Sequence, residues 1–120
     1  STTSKNKICL LKNNIITNMV IDPQDVGLQR GNISDIQINT KEDAIKSFVD
    51  VLNDTANKTK IEITALNAAG GLIVSDIANS FDEAVELALT TIHSGKAFDK
   101  LKNFVKNCGD MEKLEEVERS

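Results

Sequence analysis

A chain of 120 residues can bury roughly two-thirds of its unfolded surface, enough for one hydrophobic core and not for two domains. Its 14 Lys and Arg are scattered among 18 Asp and Glu, for a net charge of −4, which argues against a nucleic-acid surface because phosphate neutralisation needs clustered cations. No apolar run approaches the ~18–20 residues of a membrane span and no basic-then-apolar leader opens the chain, so a soluble cytoplasmic protein without membrane or nucleic-acid partners is expected.

Residues 7–12 and 15–21 are short, apolar and rich in β-branched side chains, with Asn13-Asn14 between them. Asparagine tolerates the positive φ of a tight primed turn, which predicts a β-hairpin over residues 1–22. Lys5, Lys7 and Lys12 precede any acidic residue and are read as guards of a solvated strand edge, not as an anion-binding strip. Asp22-Pro23 stops the second strand because proline has no N–H for a ladder. Residues 23–40 are expected to be loop, turned at Gly31-Asn32 and pinned to the core by Ile33, Ile36 and Ile38.

Helical patterns fill residues 41–109. Thr40 caps the first, which carries Ile45, Phe48, Val49 and Leu52 at i, i+3, i+4 and i+7. Residues 60–78 are apolar nearly all round, as in a helix enclosed on several sides. Ser80 and Glu83 form a capping signature for a helix with Phe81, Ala84, Val85, Ala88, Leu89 and Ile92 on its inner stripe. Gly95 breaks that helix, and the next turns Ala97, Phe98, Leu101, Phe104 and Val105 inward before Gly109 stops it. The charged tail, residues 110–120, offers only Met111, Leu114 and Val117 as a thin apolar stripe and is expected to fray. The fold class is thus α/β: an N-terminal hairpin followed by four to five helices.

Chemistry-bearing residues are sparse. His93 beside Ser94 invites a nucleophile reading, but adjacent helical residues point about 100° apart and no third group orients the imidazole; a cation at a helix C-terminus explains His93 better. Asp82, Glu83 and Glu86 suit the dipole of a helix start better than a metal. Gly70-Gly71 lacks the flanking residues of a phosphate loop and lies inside a helix, where each Gly costs about 1 kcal/mol relative to Ala, so it is read as a packing contact. Asn67 is expected to satisfy a backbone carbonyl or a neighbouring loop in preference to contacting substrate. Cys9 and Cys108 form neither a disulfide framework nor a metal knuckle and are read as buried, reduced thiols. No catalytic, cofactor-binding or metal-binding residue is assigned.

Three stretches together carry a resemblance. Leu66-Asn67-Ala68-Ala69-Gly70-Gly71-Leu72-Ile73-Val74, then Asp82-Glu83-Ala84-Val85-Glu86-Leu87-Ala88, then Ile92-His93-Ser94-Gly95-Lys96-Ala97 resemble, in order and spacing, the C-terminal signature of the anthranilate phosphoribosyltransferase family. Upstream, Ser1-Thr2-Thr3 is similar to the segment after that family's acidic metal pair, and Ile21-Asp22-Pro23-Gln24-Asp25-Val26-Gly27-Leu28 to its Thr-Pro-Glu-Asp-Phe-Gly-Leu box. Ser4 stands where the family usually has Gly, and Asn13-Asn14 replaces a Gly-containing turn. The resemblance implies the C-terminal part of the α/β domain of a class III phosphoribosyltransferase. The family's Gly-rich phosphate loop, Asn-His-Gly-Asn segment, anthranilate-contacting Arg and metal pair would all precede Ser1.

Two functions follow as expectations. The resemblance implies a scaffold within a homo-oligomeric glycosyltransferase of tryptophan biosynthesis, which joins anthranilate to phosphoribosyl pyrophosphate with Mg²⁺ on the pyrophosphate. In that reading the chain is inactive alone and, through the hairpin edge and residues 65–74, either self-associates or meets the N-terminal remainder of its parent. The alternative is a free-standing helical module that binds a partner through the small residues 65–71.

Overall fold

Asn13 and Asn14 both adopt the left-handed backbone, with φ of 52° and 60°, which a two-residue primed turn demands and asparagine tolerates. In the computed structural model, which describes all of residues 1–120, this turn closes an antiparallel hairpin of β1 (Asn6–Lys12) and β2 (Ile15–Ile21). Its register runs from Lys12 opposite Ile15 to Asn6 opposite Ile21. Side chains alternate between the two faces. Ile8 and Leu10 turn toward the helices, whereas Leu11 and its partner Ile16 remain 66% exposed.

Residues 23–40 carry more structure than the expected loop. Asp22 and Asp25 cap each other's backbone N–H groups around a 3₁₀ turn at Pro23–Val26, with proline at the first helical position, where no N–H is needed. Gly27 ends it at φ 79°, and Leu28 enters the core. A further single turn, α1 (Ile33–Ile36), follows. Polar groups hold it beside the half-buried Ile36: Asn57 Nδ2 donates to the Asp35 carbonyl at 2.9 Å and Thr59 Oγ1 to the Asp35 carboxylate at 3.2 Å. Ile33 and Ile38 stay exposed. Gly31 donates its N–H to the Thr2 carbonyl at 3.0 Å, and a Cβ there would meet Thr59 Cγ2 at 2.3 Å.

Five longer helices follow: α2 (Lys41–Leu52), α3 (Lys58–Val74), α4 (Phe81–His93), α5 (Lys96–Cys108) and α6 (Met111–Arg119). Thr40 and Ser80 cap α2 and α4 as expected, accepting from the Asp43 and Glu83 N–H groups at 3.0 and 3.4 Å. The Glu83 carboxylate reaches back to the Asn79 N–H. Asn57 caps α3. This helix stops at Val74, short of the expected residue 78, because Asp76 goes left-handed at φ 59° and the Ile77 and Ala78 N–H groups return to the Leu72 carbonyl. Gly95, at φ 80°, makes the corner between α4 and α5.

The core falls into two clusters. The hairpin, the 3₁₀ turn, α3 and α4 enclose Leu28, Leu66, Ala69, Ile73, Ala78, Ala84 and Val85. A smaller cluster joins Val49 of α2, Phe98 of α5 and Leu114 of α6. The tail is therefore ordered, contrary to the expected fraying. Asp110 accepts from both the Glu112 and Lys113 N–H groups to start α6, and Leu114 is buried. Three expected inward residues face solvent instead, Ile45 at 42%, Phe48 at 57% and Phe104 at 65% exposure, while Val51 is buried in α2. The stripe on α4 holds: Ala84, Val85, Ala88 and Ile92 are all buried.

Gly31→Val should overpack the Thr2–Gly31–Thr59 junction and cost about 1–3 kcal/mol. Thr59→Ser, which removes Cγ2 but keeps the hydroxyl for Asp35, should recover part of the loss; equal urea midpoints for wild type and Gly31→Val would refute the close approach. Leu114→Ala should cost about 2 kcal/mol, because the three-residue cluster has little else to close over the hole. A melting curve unchanged by that substitution would mean α6 does not pack there.

Asp22 supplies a pH test. Desolvation pushes its carboxyl upward, but the Gln24 N–H and the Arg30 guanidinium outweigh it and hold the group below its ordinary 3.8. A depressed folded-state value stabilises above the unfolded value, and that contribution disappears as pH falls through the folded one. Wild type should therefore exceed Asp22→Asn in melting temperature above about pH 4 and converge with it in stronger acid. A pH-independent difference would contradict the ion pair.

Candidate functional site

The small residues of α3 divide between two faces. Ala65 and Ala69 have no exposed surface, and Ala69 shares the cluster with Ala84 and Val85 of α4, so these alanines let two helices approach closely. Asn67, Ala68 and Gly71 face outward. A Cβ on Gly70 or Gly71 would meet nothing within 4 Å. The expected packing role of Gly70-Gly71 is thus not fulfilled inside this chain. Asn67 donates Nδ2 to the Ile63 carbonyl one turn back, at 2.8 Å, the backbone satisfaction expected of it, though on an exposed surface.

The uncovered stripe of α3 runs from Ile63 through Asn67, Gly70 and Gly71 to Val74, which is 67% exposed. No charged residue occurs from Ile63 to Ser75, whereas an ordinary solvent-facing helix surface is charged and polar. Between this stripe and the base of the hairpin lies a cleft of about 270 Å³ whose lining includes Asn6, Ile8, Ile21, Leu66, Asn67 and Gly70. Lys12 at the hairpin tip pairs with Asp76 just beyond α3, so the hairpin lies along the helix. Its far face shows Cys9 and Leu11 beside Asn18, Ile16 and Val20, all exposed.

The remaining residues weighed from sequence are dispersed. His93 ends α4, and its Nδ1 lies 2.9 Å from Asp54 Oδ1 in the turn after α2. Ser94 Oγ donates to the Thr91 carbonyl and does not address the imidazole. Asp82 and Glu83 occupy the first turn of α4. No three His, Cys, Asp or Glu side chains converge as metal ligands. Cys9 and Cys108 are free but exposed, a correction to the buried reading: Cys9 falls on the far face of the hairpin and Cys108 on the last turn of α5.

Two buried polar residues escaped the sequence reading. Glu62 is 6% exposed and accepts the Gln29 N–H at 3.0 Å, with Lys58 Nζ at 3.6 Å. It fastens the chain after the 3₁₀ turn to α3. A lone carboxylate between Ile61 and Ile63 was the available signal. Thr2 is fully buried, with its Oγ1 unpaired; no periodicity marks it. Together these groups provide anchors, not a nucleophile, an acid–base pair or an oxyanion site. What the surface offers is a place for something to pack.

The family model described as a glycosyl transferase family, a/b domain, matches residues 1–98. An anthranilate phosphoribosyltransferase of Nitrosopumilus maritimus is 58% identical over 117 residues, which cover 98% of this chain and 34% of the relative. Another of the same name from Cenarchaeum symbiosum is 33% identical over 98% of this chain and 34% of its own length, and one from Petrotoga mobilis is 33% identical over 88% and 30%. The chain thus spans about a third of the length of these curated relatives. With its hairpin-and-helix architecture and the match across residues 1–98, the chain belongs to this glycosyl transferase family, as a portion of its α/β domain.

Proposed function

We propose that the chain is the scaffold portion of an anthranilate phosphoribosyltransferase, an enzyme that transfers phosphoribose from phosphoribosyl pyrophosphate to the amino group of anthranilate and releases pyrophosphate. The observation that carries this reading is 58% identity across 98% of the chain to a protein of that name. Mg²⁺ would neutralise the pyrophosphate in the complete enzyme. In this reading that ion, and the contacts to both substrates, are assigned to the rest of the complete enzyme. The complete enzyme acts as a cytoplasmic homo-oligomer in tryptophan biosynthesis. Within it, residues 1–120 supply the hairpin and the helices that cover the sheet.

The free-standing interaction module keeps one observation in its favour: both hydrophobic clusters close with residues of this chain alone. The two readings separate in a chimera of the Nitrosopumilus maritimus relative whose aligned third is replaced by this chain. The enzyme reading expects phosphoribosyl transfer within about tenfold of that relative, a barrier change of about 1.4 kcal/mol, and no pyrophosphate release from the 120 residues alone. Release by the isolated chain would overturn the scaffold role; a folded but inactive chimera would favour the module.

A further inference from the structure

The stripe Ile63, Asn67, Gly70, Gly71 and Val74 on α3 and the far face of the hairpin, Leu11, Ile16 and Val20, are surfaces of one kind. None of these residues is charged, all but the half-buried Ile63 and Gly70 are exposed, and the cleft between α3 and the hairpin base joins the two elements. A hairpin with apolar residues on both faces suits a sheet covered on both sides, while an exposed helix surface without charge over Ile63 to Ser75 suits a helix enclosed by neighbours. Gly70 and Gly71 weaken a helix, yet a Cβ on either would meet nothing within 4 Å, so no close approach inside these 120 residues requires glycine there.

We propose that both surfaces are docking faces for the other two-thirds of a chain of the relatives' length, with backbone of that remainder lying against Gly70 and Gly71 and filling the cleft beside Asn67. The occupant follows from the relatives, of which this chain spans 34%, and from charge: the only ion on the hairpin's far face is Lys7, so an apolar neighbour loses almost no ionic hydration by covering it. This inference rests on the proposed function for its occupant, though not for its geometry.

One substitution gives opposite signs in two contexts. In the isolated chain, Gly71→Leu places a good helix former in open space and should leave the melting temperature unchanged or raise it by a few degrees. In the chimera with the Nitrosopumilus maritimus relative, the same side chain should force the docked backbone away and lower the melting temperature. Ile16→Asp, on the hairpin, should likewise be neutral alone and lower it in the chimera. A chimera that tolerates both, an isolated chain already unfolded by Gly71→Leu, or a chimera that fails to fold where the relative folds would each overturn the proposal. Transfer activity is read separately: sign reversal without activity sinks the functional reading and leaves the docking faces standing.

Discussion

The close packing of α3 against α4 is the contact on which the rest of the chain depends. Ala65 and Ala69 on one side and Ala84 on the other have no exposed surface, and with no side chain beyond Cβ between them the helices can approach nearer than larger residues allow. Leu66, Ile73 and Val85 fill the space around that line, Leu28 closes it from the 3₁₀ turn, and Leu10 from the hairpin. Gly95 then swings α5 away from α4 in a single left-handed residue, which sets the second cluster of α2, α5 and α6 beside the first. Opening the α3–α4 seam would break up the first cluster, to which both helices contribute.

The same helix shows how one sequence serves two kinds of neighbour. Its buried side packs on α4 and carries the carboxylate of Glu62, while on its outer side, uncharged from Ile63 to Ser75, a Cβ on Gly70 or Gly71 would meet nothing within 4 Å. A helix without a polar face suits a fully enclosed site. The chain spans about a third of the length of the relatives it matches, and the proposed cover for this surface is the remainder of a chain of that length.

Polar anchors secure the parts that apolar packing does not reach. Glu62 takes the Gln29 N–H, Asp35 is held by Asn57 and Thr59, Thr2 meets Gly31, and His93 meets Asp54. Each links residues at least 22 apart in sequence. Charge-assisted bonds to a buried carboxylate such as Glu62 are stronger than neutral ones, while the exposed His93–Asp54 pair contributes little. These ties position loops, and no group among them is arranged for chemistry.

Sequence alone determined the features that depend on neighbours within a few residues. The Asn13-Asn14 turn, the Thr40 and Ser80 caps, the Gly95 corner and the inner stripe of α4 all rest on local dihedral preference, a cap three residues away or a 3.6-residue period. The family signature around Asn67 and Gly95 was legible for the same reason, since it is a contiguous pattern. Tertiary structure decided what depends on which surface happens to be covered. Phe48 and Phe104 fit a helical stripe yet face solvent, Cys9 alternates onto the open side of the hairpin, the tail orders because Leu114 finds Val49 and Phe98, and Glu62 finds a backbone N–H 33 residues away. Periodicity tells which residues share a face; only the fold tells what, if anything, lies against it.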